Sequence, residues 1–149
     1  MFTRSKLVPE LMVSDIRKSL HFWTVLVGIT IAYERPEVGF AYLDLNGAQL
    51  MLEQYDPGEG QWLSDALQAP FGRGINFQIT VESVEPILRR LAEVEWPLFR
   101  ACADTWYRAG QVEVGQREFL LQDPDGYLVR LVESLGERFG VVSAQTVDL

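Results

Sequence analysis

Apolar and polar positions along the chain fall into the same pattern twice. Residues 7–13, Leu-Val-Pro-Glu-Leu-Met-Val, predict a short strand, and Ser14-Asp15 supplies N-cap chemistry. Ile16, Leu20, Trp23 and Val27 then recur at helical spacing, with Leu26 beside them, up to Gly28. A shift of 68 residues repeats the pattern: Val13 corresponds to Val81, Ile16 to Val84 and Leu20 to Leu88. In the repeat, residues 75–81 predict a strand, Ser83 an N-cap, and Val84, Leu88 and Leu91 the helical stripe. Pro86 falls in the first helical turn, where a missing N–H is tolerated.

Three strand candidates follow each helix. In the first half they are 29–34, 39–45 and 48–55, the last two joined at Asn46-Gly47, a two-residue hairpin signal. In the second half they are about 98–102, 117–123 and 127–133, the last two joined at Asp123-Pro124-Asp125-Gly126. Residues 102–116 have no clear periodicity and are expected as a long irregular stretch. The fold class is therefore α+β: two tandem βαβββ modules, forming curved mixed sheets with helices on the outside. The whole of 1–149 is expected as one domain, with module 1 at about 6–56, module 2 at about 74–134 and a C-terminal tail at 135–149.

Alternation assigns the faces. Ile75, Phe77, Ile79 and Val81 should pack on helices, leaving Asn76, Gln78 and Thr80 on the other face. In the last strand Val129 and Leu131 go with the helix side and Leu128, Arg130 and Val132 with the opposite side. That mixed second face meets either solvent or a ligand, and it makes a good pocket wall.

Composition narrows the function classes. Thirteen basic residues against 21 acidic give a net charge of −8, without the basic footprint a nucleic-acid binder needs. No apolar run approaches the roughly 18 residues of a membrane span, and the first residues lack a signal-peptide core. The single cysteine, Cys102, cannot form an intrachain disulfide or a cysteine-based zinc site. A soluble, cytoplasmic protein without membrane or nucleic-acid partners is expected. His21 is expected on a helix flank, and Gly72-Arg73-Gly74 lacks the strand-to-helix context of a phosphate loop.

Val13-Ser14-Asp15-Ile16, Ser19-Leu20, Phe22-Trp23, the Asn46-Gly47 hairpin and the run from Arg117 to Tyr127 through Asp123-Pro124-Asp125-Gly126 resemble the vicinal oxygen chelate superfamily. This group comprises glyoxalase I, extradiol dioxygenases, fosfomycin-resistance enzymes and bleomycin-resistance proteins, and the similarity runs over roughly residues 6–134. Val8-Pro9 before the first helix is closest to the bleomycin-resistance branch. Enzymes of the superfamily hold a divalent metal with one side chain from each of four strands. The resemblance puts those positions at Val8, Met51, Asn76 and Arg130. Valine has no donor, a thioether suits soft ions, an asparagine oxygen is a weak single ligand, and a guanidinium brings a positive charge. No metal and no cofactor are expected; Glu53, two residues beyond Met51, is the one carboxylate a register error could restore.

The ligand-binding candidates are Glu53, Tyr55, Trp62, Asn76, Gln78, Trp106, Tyr107 and Arg130. Residues 53–65 hold four carboxylates, two large aromatics and no basic residue, which fits either a solvated loop or the rim of a site for a cationic aromatic ligand. Trp106 and Tyr107 could add an aromatic wall at the mouth. Arg130 is expected to be neutralised by Glu10 or Glu53, or else to prefer an anion. The resemblance implies a homodimer in which the Pro9 strand crosses to the partner. It also implies sequestration, in an intersubunit cleft and without chemistry, of a cationic or amphipathic aromatic compound of bleomycin type. The alternative is a glyoxalase- or dioxygenase-like enzyme acting on a small anionic substrate.

Overall fold

The computed structural model describes residues 2–140. Its first module runs β1 (Glu10–Val13), α1 (Ile16–Leu20), a wider π-helical segment (His21–Val27), β2 (Thr30–Arg35), β3 (Phe40–Leu45) and β4 (Ala48–Gln54). The second runs β5 (Asn76–Thr80), α2 (Glu85–Glu93), β6 (Leu98–Ala109), β7 (Val112–Gln122) and β8 (Leu128–Phe139). Each module makes its own four-stranded mixed sheet, ordered β1-β4-β3-β2 and β5-β8-β7-β6. The first strand of each pairs in parallel with the last, and the remaining pairs are antiparallel. The duplicated βαβββ pattern is thus present in the fold.

Local chemistry explains the shared frame. Asp15 caps α1 by accepting from the N–H of Arg17 and Lys18, and Gly28, at φ 94°, ends the helical run. Asn46 and Gly47 both take positive φ in the β3–β4 hairpin, as its two-residue turn requires. Pro9 lies outside the paired part of β1, but its carbonyl still accepts the Met51 N–H at 2.8 Å.

One continuous core joins the modules. Leu11, Val13, Leu50 and Leu52 from the first sheet meet Ile79, Phe119, Leu121, Val129 and Leu131 from the second, around Phe22, Trp23 and Leu91 of the helices. Trp23 and Phe22 are fully buried. The Arg90 side chain of α2 donates to the carbonyls of Leu26 (2.9 Å) and Val27 (3.3 Å), satisfying acceptors left open at the end of the module 1 helix. The helix-side faces of both sheets are therefore committed to the core, and the opposite faces carry whatever function the fold supports.

Several expectations need correction. Residues 102–116 are not irregular: they are the far half of the β6–β7 hairpin, turned at Gly110. None of its residues joins the core cluster, and its β6 apolar residues sit side by side (Cys102-Ala103, Trp106-Tyr107) rather than alternating, so no sustained strand period marks it. Cross-strand ion pairs, Arg117–Asp104 and Arg138–Glu113 (both 2.8 Å), hold it instead. For the same reason β8 continues to Phe139, into the expected tail; residues 141–149 of that tail lie outside the described residues. Ser83 does not cap α2, because the Val84 N–H donates across the module to Glu133 on β8 (3.0 Å). Ile87 is buried where Leu88 was expected, and Leu88 lies at the core margin. Among the described residues, no helix is long and apolar enough to cross a membrane.

Candidate functional site

The free face of the first sheet opens into a cleft of about 1100 Å³. Its floor is set by register. Glu10 on β1 lies opposite Met51 on β4, and Glu53 follows two residues along the same face, since Leu50 and Leu52 point into the core. Tyr33 and Arg35 on β2 and Phe40 on β3 complete one wall. The Arg35 guanidinium lies 4.1 Å from the Phe40 ring centroid.

The other wall is the 55–62 loop, folded back by a single side chain. Gln61 donates to the Gln54 carbonyl and accepts from the Asp56 N–H, both at 2.8 Å. That arrangement brings Asp56, Glu59 and Trp62 to the rim. Trp62 is 93% exposed, so its ring is free to cover a ligand. Gly39 shapes the narrow end: it adopts φ 64°, and a Cβ there would stand 2.9 Å from the Gln54 side chain.

The cleft is acidic. Five carboxylates (Glu10, Glu37, Glu53, Asp56, Glu59) line it against one guanidinium, Arg35. The Glu10 carboxyl is raised to about 7, first by its hydrogen bond with Glu53, then by burial and by the Glu53 charge, while Arg35 pulls it down. Near neutrality the Glu10–Glu53 pair therefore holds a proton that an incoming cation can replace.

The free face of the second sheet carries a row of polar side chains, one from each strand. Tyr107 (β6) donates its hydroxyl to Glu118 (β7), Arg130 (β8) stands 3.8 Å from Glu118 Oε2, and Arg130 Nη2 donates to Gln78 (β5) at 2.5 Å. Glu118 is 2% exposed, so Arg130 is its charge partner rather than that of Glu10 or Glu53. Glu118 Oε2 and Arg130 Nε keep no hydrogen bond of their own.

The eight expected site residues thus separate. Glu53 and Trp62 belong to the cleft, and Gln78, Tyr107 and Arg130 to the polar row. Asn76 lines a small groove with Pro9, Gln49 and Gln78. Tyr55 turns away, packing edge-on against Phe71 at 5.7 Å. Trp106 does not join Tyr107 in one wall. Neighbours on a strand point to opposite faces, and Trp106 lies over Gly115 with Arg138 4.1 Å from its ring. The expectation missed Glu10, Arg35 and Phe40 as cleft residues and Glu118 as the buried carboxylate. Glu10 enters through the β1–β4 register and Glu118 through the β7–β8 pairing, which no pattern along one strand carries. Cys102 is exposed on β6, and its thiol is raised, chiefly by desolvation, which lowers its thiolate character.

The donor chemistry does not fit a divalent metal. Val8 and Met51 offer no hard donor, Asn76 offers one weak amide oxygen, and Arg130 is held against Glu118 and Gln78. Among the described residues no three His, Cys, Asp or Glu side chains converge.

The model of the glyoxalase/bleomycin resistance protein/dioxygenase superfamily matches residues 7–131. A solved member of that superfamily from Vibrio splendidus 12B01 is 33% identical, covering 85% of this chain and 95% of its own, with a TM-score of 0.39. TioX from Micromonospora sp. ML1 is 21% identical over 88% of this chain and 99% of its own, with a TM-score of 0.66. Lactoylglutathione lyase from Agrobacterium tumefaciens is 15% identical over 87% and 92%, with a TM-score of 0.56. The last two likenesses concern the fold. No curated protein matches the chain.

Proposed function

This chain belongs to the glyoxalase/bleomycin resistance protein/dioxygenase superfamily, and we propose that within it the protein acts as a binder of the bleomycin-resistance kind, sequestering a cationic or amphipathic aromatic compound without chemistry. The observation that carries this reading is the cleft itself: Glu10 and Glu53 side by side on its floor, Tyr33 and Phe40 on one wall and Trp62 at the rim. A flat cation gains stacking on the rings and charge from the carboxylates. Cation–π contacts are worth about 0.5–2 kcal/mol each, and micromolar binding needs about 8 kcal/mol, so a few such contacts with apolar burial suffice.

The cleft is walled by module 1 alone and stays open on one side. A homodimer would close it. The free face of the second sheet is the surface a second copy would set across it. Exchange of the strand after Pro9 would fasten such a pair. Analytical ultracentrifugation tests the dimer; a monomer at micromolar concentration removes the intersubunit form of the proposal.

The direct test is calorimetric titration with metal-free and copper-loaded bleomycin, read in parallel by quenching of Trp62. Saturable heat with quenching is expected. Neither heat nor quenching at high micromolar drug overturns the drug-specific reading. Turnover of a small anionic substrate would instead favour an enzyme, although the buried Glu118 beside Arg130 already opposes anion binding there.

A further inference from the structure

The aromatic wall of the cleft continues past its rim. Phe40 lies 6.0 Å from Tyr33, and Tyr33 stacks on Tyr42 with centroids 5.1 Å apart and planes 19° from parallel. Tyr33 lines the cleft, so the Tyr42 face is an extension of it. This extension is filled by the chain itself. Phe2 packs 5.6 Å from Tyr42 and 6.3 Å from Tyr33, and the Arg4 guanidinium lies 5.6 Å from the Tyr33 ring centroid.

The backbone of the same segment is fastened to one polar side chain. The Ser5 N–H donates to Gln49 Oε1, and Gln49 Nε2 donates to the Thr3 carbonyl, both at 2.7 Å. Gln49 is 7% exposed, and its oxygen also accepts the Tyr42 hydroxyl at 2.5 Å. A buried amide and two stacked phenols thus hold an aromatic ring and a guanidinium. Lys6 is exposed and Leu7 is 86% exposed, so neither packs in the core.

We propose that Tyr33, Tyr42 and Gln49 form a second ligand subsite, continuous with the cleft, for a flat aromatic group bearing a guanidinium or ammonium, and that residues 2–5 are its internal occupant, displaced when such a ligand binds. The inference borrows only its ligand class from the reading of the cleft above. The segment already presents that class of groups to the subsite. Its short tether gives it an effective concentration in the millimolar range. A competitor therefore sees an affinity reduced by the fraction of time the subsite is free: about tenfold if the segment is seated nine-tenths of the time.

The test uses the acetylated tetrapeptide amide Phe-Thr-Arg-Ser, which copies residues 2–5, against the full chain and a Phe2→Ser/Arg4→Ser double variant. Circular dichroism checks that the double variant is folded. Chemical-shift changes at Tyr33, Tyr42 and Gln49 report occupancy. The double variant is expected to bind the peptide at least about tenfold more tightly than the unaltered chain. Equal affinity in the two proteins, or no shift at those residues in the double variant at about 10 mM peptide, overturns the inference. Bleomycin titrations of both proteins separate the two proposals. Peptide binding without drug binding removes only the drug reading, and drug binding unchanged by the double substitution, with no peptide binding, removes only the subsite.

Discussion

The indole N–H of Trp23 donates to the carboxylate of Asp123 at 3.3 Å, joining residues a hundred positions apart and tying the helix of one module to the hairpin of the other. Two neighbours reinforce the bond. Asp125 accepts the Ser14 N–H at 3.1 Å, and the Tyr127 hydroxyl donates to the Met12 carbonyl at 2.9 Å. The Asp-Pro-Asp-Gly-Tyr turn is thus more than a hairpin. It is the latch that orients the first sheet, and with it the cleft, on the second.

Asp123 makes that latch sensitive to pH. Burial pushes its carboxyl up to about 6, against the backbone N–H groups of Tyr127 and Asp125, which pull it down. The folded state then holds a proton that the unfolded chain releases near pH 4, so this group's contribution to stability falls as pH rises from about 4 to 6. An Asp123→Asn variant lacks that slope. Urea melts at several pH values should show the stability difference, wild type minus variant, shifting against wild type by roughly 3 kcal/mol across the window. A difference that is the same at pH 4 and pH 7 would refute the assignment.

Glu118 and Arg130 give a second, sharper contrast. Arg130→Met strands a carboxylate that is 2% exposed, and such a loss is expected to cost about 3–5 kcal/mol. Glu118→Gln leaves a guanidinium that is 27% exposed and still bonded to Gln78, and it should cost less. Combining the two should recover most of the loss. Denaturant melts of the four proteins form the double-mutant cycle, and additive losses would show that the pair does not interact.

Neither relationship was legible in the sequence, although the elements that carry them were. The 68-residue echo, Asn46-Gly47 and Asp123-Pro124-Asp125-Gly126 are local signals, and each corresponds to an observed element. Glu53 and Trp62 could be read as cleft residues because strand alternation and a carboxylate-rich loop are visible in one dimension. Glu10 joined them only through the parallel β1–β4 register, and Trp106 left Tyr107 because a 12-residue strand replaced an expected loop. Side-chain direction and cross-strand partners are three-dimensional facts, and residues such as Glu118 acquire their role from them.

Proton release should accompany ligand binding in the cleft. A cation between Glu10 and Glu53 stabilises both carboxylates in the charged form, so the Glu10 proton, held up to about pH 7, must leave. Affinity for a cationic probe such as metal-free bleomycin is expected to tighten as pH rises from about 6 to 8 and then level off. Calorimetry in buffers of different ionisation heat counts the released proton. Glu10→Gln should abolish both the release and the slope; a Glu10→Gln variant with the wild-type pH profile would place the titrating group elsewhere.

Gly72 offers a test of the latch that involves no charge. A Cβ there would stand 2.2 Å from the Tyr127 nitrogen and 2.5 Å from the Gly126 carbonyl carbon, and these are backbone atoms that no side-chain rotation can move. The Gly72 N–H also donates to the Asp125 carbonyl at 3.1 Å, so the two segments must approach closely. Gly72→Ala is expected to force the 123–127 turn outward, costing about 1–3 kcal/mol or more and loosening the Trp23–Asp123 bond. The indole N–H resonance of Trp23 should then shift and exchange faster with solvent. A Gly47→Ala variant is the control, because nothing lies within 4 Å of that Cβ. Its positive φ makes it mildly destabilising, yet it should leave the Trp23 resonance where it is. If both substitutions move that resonance equally, the close approach at Gly72 does not hold the latch.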